Sequence, residues 1–129
     1  MGKKSRTKGA TAELEVCAIL REVFPDVQRD LDQVRGHNNG RDLIGTGEWC
    51  FQIKRRAKMT RGVIEAGYRE AVTAAAKGSN QVIVIHRSDR EEWMVSTKMK
   101  DLFWLGYATP KLITFSLSDF VSMIREDAA

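Results

Sequence analysis

Apolar residues recur at helical spacing from about Gly9 to Phe24, with Val16, Cys17, Leu20, Val23 and Phe24 on one stripe. Pro25 ends that pattern. Glu13 stands three and four residues before Val16 and Cys17, so it lies on the buried stripe. A carboxylate there is costly unless it is paired or binds a metal; a place in the first turn, favoured by the helix dipole, is the simpler account. Residues 27–35 alternate loosely as a polar strand, and 36–40 form a loop of turn formers containing His37. Two short strands follow, Asp42 to Gly45 and Trp49 to Lys54, joined as a hairpin through Thr46 to Glu48, with Gly47 free to take positive φ.

Further along, residues 63–77 read as an Ala-rich helix with Val63, Ala66, Gly67, Ala71, Ala74 and Ala75 as a small packing face, ended by Lys77-Gly78. Gln81 to Arg87 is a continuous apolar run, the mark of a central strand covered on both faces. Glu92 to Ser96 is a further strand, 97–105 a short helix bearing Leu102, Phe103 and Trp104, and Leu112 to Leu117 a last strand. Ser118 is the expected N-cap of a closing helix through about Arg125, with Phe120, Val121 and Ile124 inward. The order predicts an α/β fold with a mixed central sheet flanked by helices.

Alternation along the hairpin puts Trp49, Phe51 and Ile53 on one face and Cys50, Gln52 and Lys54 on the other. With the loop as drawn, Asp42 pairs opposite Gln52, so an acid, an amide oxygen and an ammonium share a face. Carboxylate and amide oxygens are hard ligands of the kind Mg²⁺ accepts, and a nearby lysine can orient a water or neutralise charge on phosphorus. A hairpin whose polar face simply meets solvent has the same pattern. Arg55, Arg56, Lys58 and Arg61 follow at once and place positive charge beside this face.

Charge sharpens the picture. The net charge is +4 over 129 residues, but residues 1–61 carry thirteen Lys/Arg against eight Asp/Glu while 62–129 carry eight against nine. The positive excess lies in the half that holds the hairpin, as a nucleic-acid contact surface or a solvated basic surface would have it. Residues 1–8, with Lys3, Lys4, Arg6 and Lys8, read as a flexible basic arm able to follow phosphates, ahead of a single domain over 9–129. No run is long enough to span a membrane, no secretory signal is seen, and Cys17 and Cys50 lack metal or disulfide spacing, so a cytoplasmic protein with reduced core cysteines is expected.

Lys8-Gly9-Ala10-Thr11-Ala12-Glu13 on the first helix, Asp42 on a strand and Gln52-Ile53-Lys54 on the next form an ordered set. In these residues the chain resembles the PD-(D/E)XK nuclease superfamily, and within it the archaeal-type Holliday junction resolvases. The first stretch fits the family's KGxxxE pattern, Asp42 its strand aspartate, and Gln52 and Lys54 its (D/E)xK. The resemblance spans roughly residues 8 to 87. Arg41 stands where proline often precedes the aspartate, and Gln52 replaces the usual acid, although some members with QxK are active. The resemblance implies a restriction-endonuclease-like αβββαβ core and a Mg²⁺-dependent endonuclease (Mn²⁺ substituting) that leaves a 5′-phosphate. Glu13, Asp42 and Gln52 would bind the metal and Lys54 would complete the catalytic set. DNA, branched or double-stranded, would be held by Lys3, Lys4, Arg6, Lys8, Arg41, Arg55, Arg56, Lys58 and Arg61. A two-fold dimer is implied, because a resolvase cuts two strands symmetrically. A same-fold restriction, homing or repair nuclease, a catalytically inactive DNA-binding module, and a domain without a nucleic-acid role are the other readings.

Overall fold

The computed structural model describes residues 3–31, 42–75, 81–98 and 111–128, with the side chains of 3–8, 74 and 128 outside the description. The elements are α1 (Lys3–Leu20), β1 (Gln28–Arg29), β2 (Leu43–Ile44), β3 (Trp49–Arg56), α2 (Arg61–Ala75), β4 (Gln81–Ser88), β5 (Met94–Lys98), β6 (Leu112–Ser116) and α3 (Leu117–Ala128). Four strands form a mixed sheet in the order β3-β4-β5-β6, parallel between β3 and β4 and antiparallel thereafter. The expected α/β class with a mixed sheet flanked by helices is what the chain adopts.

The two faces of β3 are divided by the alternation of its side chains. Phe51 and Ile53 join Ala12, Val16, Cys17 and Leu20 of α1 and Phe120 and Val121 of α3 in one core, with Trp49 packed at its edge. Phe51 lies at the centre, edge-on to Phe24 (5.8 Å) and Phe120 (5.9 Å) and stacked with Trp49 (6.3 Å). Cys50 faces the other way, into a smaller core with Tyr68 and Ala71 of α2 and Val82 and Val84 of β4. The side chains of residues 81–86 are all buried, so β4 is the doubly covered central strand expected from its apolar run. Both cysteines are buried free thiols.

Several expected boundaries move. The first helix begins at Lys3 rather than Gly9, so the segment drawn as a basic arm continues into its opening turns. It stops at Leu20, and Val23 and Phe24 reach the core from a turn that bonds back to the Leu20 carbonyl. The packing face of α2 is built on Tyr68 and Ala71 with Ile64 and Ala75, larger than the alanine face expected. β5 runs through Thr97 and Lys98, where a short helix was expected to start; the rest of that helix, with Leu102, Phe103 and Trp104, lies outside the described residues. The cap of α3 is Ser116, whose Oγ accepts from the Asp119 N–H at 3.0 Å, not Ser118. The helix therefore starts one residue after β6, and Leu117 turns inward, buried.

The hairpin is altered in a way that matters for the site. Gly47 has the positive φ expected (60°), but β2 is laddered with β1, not β3. β2 and β3 are joined at Asp42, whose N–H donates to the Phe51 carbonyl (2.9 Å), and at the turn, where the Trp49 N–H donates to Thr46 (3.1 Å). Gly45 holds this corner: at φ 81° it lies so close to the Asp26 carbonyl that a Cβ would stand 2.2 Å from the oxygen. Gly45→Ala is expected to lower stability by at least ~1–3 kcal/mol from the left-handed backbone alone, read as an earlier urea midpoint. An unchanged midpoint would refute the packing of this corner.

Candidate functional site

Asp42 sits where the small β1-β2 pair meets the open edge of the four-stranded sheet. Its main chain is pinned on both sides, the N–H to Phe51 and the C=O by the Asp30 N–H at 2.9 Å. Its carboxylate Oδ2 accepts from the Ile53 N–H at 2.7 Å and so occupies the edge of β3. This corrects the sequence reading. Asp42 is not a side chain on the Gln52 face of a hairpin; it lies at the rim between the two faces of the sheet. That rim position lets it interact with groups from both sides.

From the α1 side comes Glu13. It lies well inside α1, 9% exposed, and its Oε1 accepts from Arg29 Nε on β1 at 2.8 Å. The first-turn explanation for a carboxylate on the stripe therefore fails. From the α2 side come Gln52 and Lys54. Their neighbour Gly67 brings α2 close enough that a Cβ would stand 3.2 Å from Lys54 Cε. Glu70, one turn further along α2, accepts from Gln52 Nε2 at 2.6 Å and from Lys54 Nζ at 3.2 Å. The Asp42 carboxyl feels all of them. Burial pushes it up to about 7; the Ile53 N–H opposes this, Glu13 adds to it, Lys54 opposes it and Glu70 adds to it. Two acids and an ammonium therefore act on a third acid, which is 5% exposed.

Gln52 Oε1 is buried and accepts no hydrogen bond among the described residues. A buried carbonyl left so costs about 1–3 kcal/mol, and a hard cation would satisfy it. Among the described residues no three His, Cys, Asp or Glu side chains are grouped to hold a metal by themselves. A cation here would rest on fewer acids plus the Gln52 oxygen, with water and phosphate completing the shell, as Mg²⁺ commonly does. The donor chemistry fits on those terms.

The basic residues divide. Arg55 faces α1 and is occupied by acids, its guanidinium 3.3 Å from Asp89 and 3.7 Å from Glu15. Arg56, Lys58 and Arg61 are exposed, with Arg61 paired to Glu65 one turn along. Lys3, Lys4, Arg6 and Lys8 have their backbone in α1, but their side chains lie outside the described residues, as do Arg41 and His37 entirely. Sequence reasoning missed Arg29 and Glu70. Glu70 had a signal, since it follows Gly67 by three and so shares its flank of the helix; Arg29 had none. Comparisons with protein families, with characterised proteins and with solved structures return no significant match. Among the described residues, no helix is long and apolar enough to cross a membrane.

Proposed function

We propose that the chain is a metal-dependent DNA endonuclease of the PD-(D/E)XK type, acting on branched or double-stranded DNA as a resolvase-like dimer. What carries this reading is that charges on Glu13, Lys54 and Glu70, from separate elements, all act on the buried Asp42 carboxyl, while the Gln52 oxygen is buried with no partner among the described residues. The order of the first elements, αβββαβ, supports the same core. Asp42, Gln52 and Glu13 would hold Mg²⁺, which when bound would supply a more acidic water and a polarised phosphate. Lys54 Nζ, steadied by Glu70, orients the attacking water or neutralises charge gathering on the phosphorus oxygens. Water oxygen bonds to phosphorus, the 3′ oxygen leaves and takes a proton, and the 5′ side keeps the phosphate. Arg56 and Lys58 hold the backbone nearby. The test is incubation with branched and linear DNA, in Mg²⁺ or EDTA, beside Asp42→Ala and Lys54→Ala. Cutting that needs Mg²⁺ and both residues supports the reading; cutting that survives both substitutions rejects this site.

Glu70 gives the QxK variation a physical account. The charge absent at Gln52 is present on α2, within hydrogen-bonding distance of Gln52 and Lys54. Glu70→Gln is expected to raise the Mg²⁺ concentration for half-maximal cleavage by about 10–100-fold. Gln52→Glu alone sets a carboxylate against Glu70 and should not help, because like charges so close cannot both ionise. The exchange Gln52→Glu with Glu70→Gln should recover the Mg²⁺ response. Should Gln52→Glu act as well alone as in the exchange, Glu70 has no part in the site.

A further inference from the structure

Lys54 and Glu70 use one flank of α2. On a turn of 3.6 residues, Arg61, Glu65 and Tyr68 fall on the opposite flank. There the helix and the ends of β5 and β6 enclose a hollow of about 330 Å³ whose described lining includes Arg61, Arg69, Lys98 and Lys111 against one acid, Glu65. Lys98 Nζ lies over the Tyr68 ring, 5.3 Å from its centroid, which fixes the cation at the wall. Arg61 and Leu112 also line a second hollow, of about 360 Å³, between the start of α2 and strands β4 to β6. The two therefore adjoin across these residues. The second hollow has apolar sides from Met59, Ile64, Met94 and Leu112 and a polar floor, and its lining also holds Arg87 and two exposed acids, Glu91 and Glu92. On that floor His86 Nε2 bonds Ser96 Oγ (2.8 Å), which bonds Thr114 Oγ1 (2.6 Å). His86 is 5% exposed, and its Nδ1 has no hydrogen bond among the described residues.

A row of cations beside an apolar slot with a short polar floor matches a nucleotide, with charge at one end and a flat ring edged with donors and acceptors at the other. We propose that this flank of α2 is a second nucleic-acid site, which takes an unpaired strand: its phosphates along Arg61, Arg69, Lys98 and Lys111, and one base in the slot over His86. Burial lowers the His86 pKa to about 4, so a neutral ring meets the base, through the Nδ1 that Ser96 leaves open. A stacked duplex presents no base that can enter the slot. The site rests on the nucleic-acid reading above and deepens it: the protein would hold the single-stranded part of a branched or frayed substrate on one side of α2 and cut on the other.

Binding is measured in EDTA by fluorescence anisotropy, with a short fluorescein-labelled single strand and the matching duplex, over a range of salt. The Lys98→Glu, Lys111→Glu double variant should flatten the salt dependence for the single strand by about 1.4 in log–log slope, two contacts at about 0.7 each. Leu112→Trp, which fills the junction of the hollows, should weaken the single strand at least tenfold and the duplex little. Because Leu112 is partly buried, the His86 ring signals of the unmodified protein are also followed by NMR and should shift as single strand is added. Unmoved ring signals, single-strand binding that both variants leave intact, or equal losses for both DNAs would overturn the proposal. Mg²⁺-dependent cutting of duplex by the unmodified protein is scored apart, so loss of the nuclease reading is seen independently.

Discussion

Asp42→Asn is expected to abolish cleavage and, at alkaline pH, to make the protein more stable. The asparagine oxygen can still accept from the Ile53 N–H, which now bonds Oδ2 at 2.7 Å, so the corner of the sheet is kept. What goes is the charge. Loss of about 10²–10³ in rate is expected when a group that works on the transition state is removed from a buried site. The stability gain follows from the raised pKa. The native carboxyl titrates near 7 and the unfolded one near 3.8, so the native state binds its proton more tightly. This group's stabilising contribution is full below pH 3.8 and is lost as pH rises through about 7. Above that, the ionised native form is disfavoured by an amount on the order of 4 kcal/mol. Asn carries no such penalty. Urea unfolding of both proteins in EDTA, at mildly acid and alkaline pH, should show a gap that widens with pH. Mg²⁺ should narrow it by stabilising the unmodified protein alone, and more so at alkaline pH, since cation and proton compete. A gap that does not change with pH would mean that Asp42 is not the buried acid described.

Phe51→Ala should cost about 3–5 kcal/mol, the usual loss for a fully buried phenylalanine. Against a total of roughly 5–15 kcal/mol for a domain, that is a large share of the stability. The ring is fully buried at the meeting of α1, α3 and β3, and three other aromatic rings lean on it. The same residue's carbonyl receives the Asp42 N–H, so the core and the site share one backbone position. Thermal unfolding should show the loss directly. Near-native melting would contradict the central place given to this ring.

Much of this was legible in the sequence. The stripe of Val16, Cys17 and Leu20 placed Glu13 among buried residues, and alternation along residues 49–54 placed Gln52 and Lys54 together, away from Phe51. Both are local consequences of helix and strand periods, and neither depends on what the element packs against. The apolar run of residues 81–87 likewise announced a strand covered on both sides, since only that environment tolerates it.

Tertiary structure alone decided which strand pairs with which. β2 chose β1 rather than β3, and this moved Asp42 from a face to the rim, where α1 and α2 can both reach it. Periodicity fixes the direction of a side chain but not the identity of its distant neighbour, because pairing depends on contacts many residues away. For the same reason Arg55 read as a surface cation, and only the folded chain set it against Glu15 and Asp89. Glu70 was not singled out in the sequence. It became part of the site because Gly67 has no side chain, and α2 could settle directly onto Lys54.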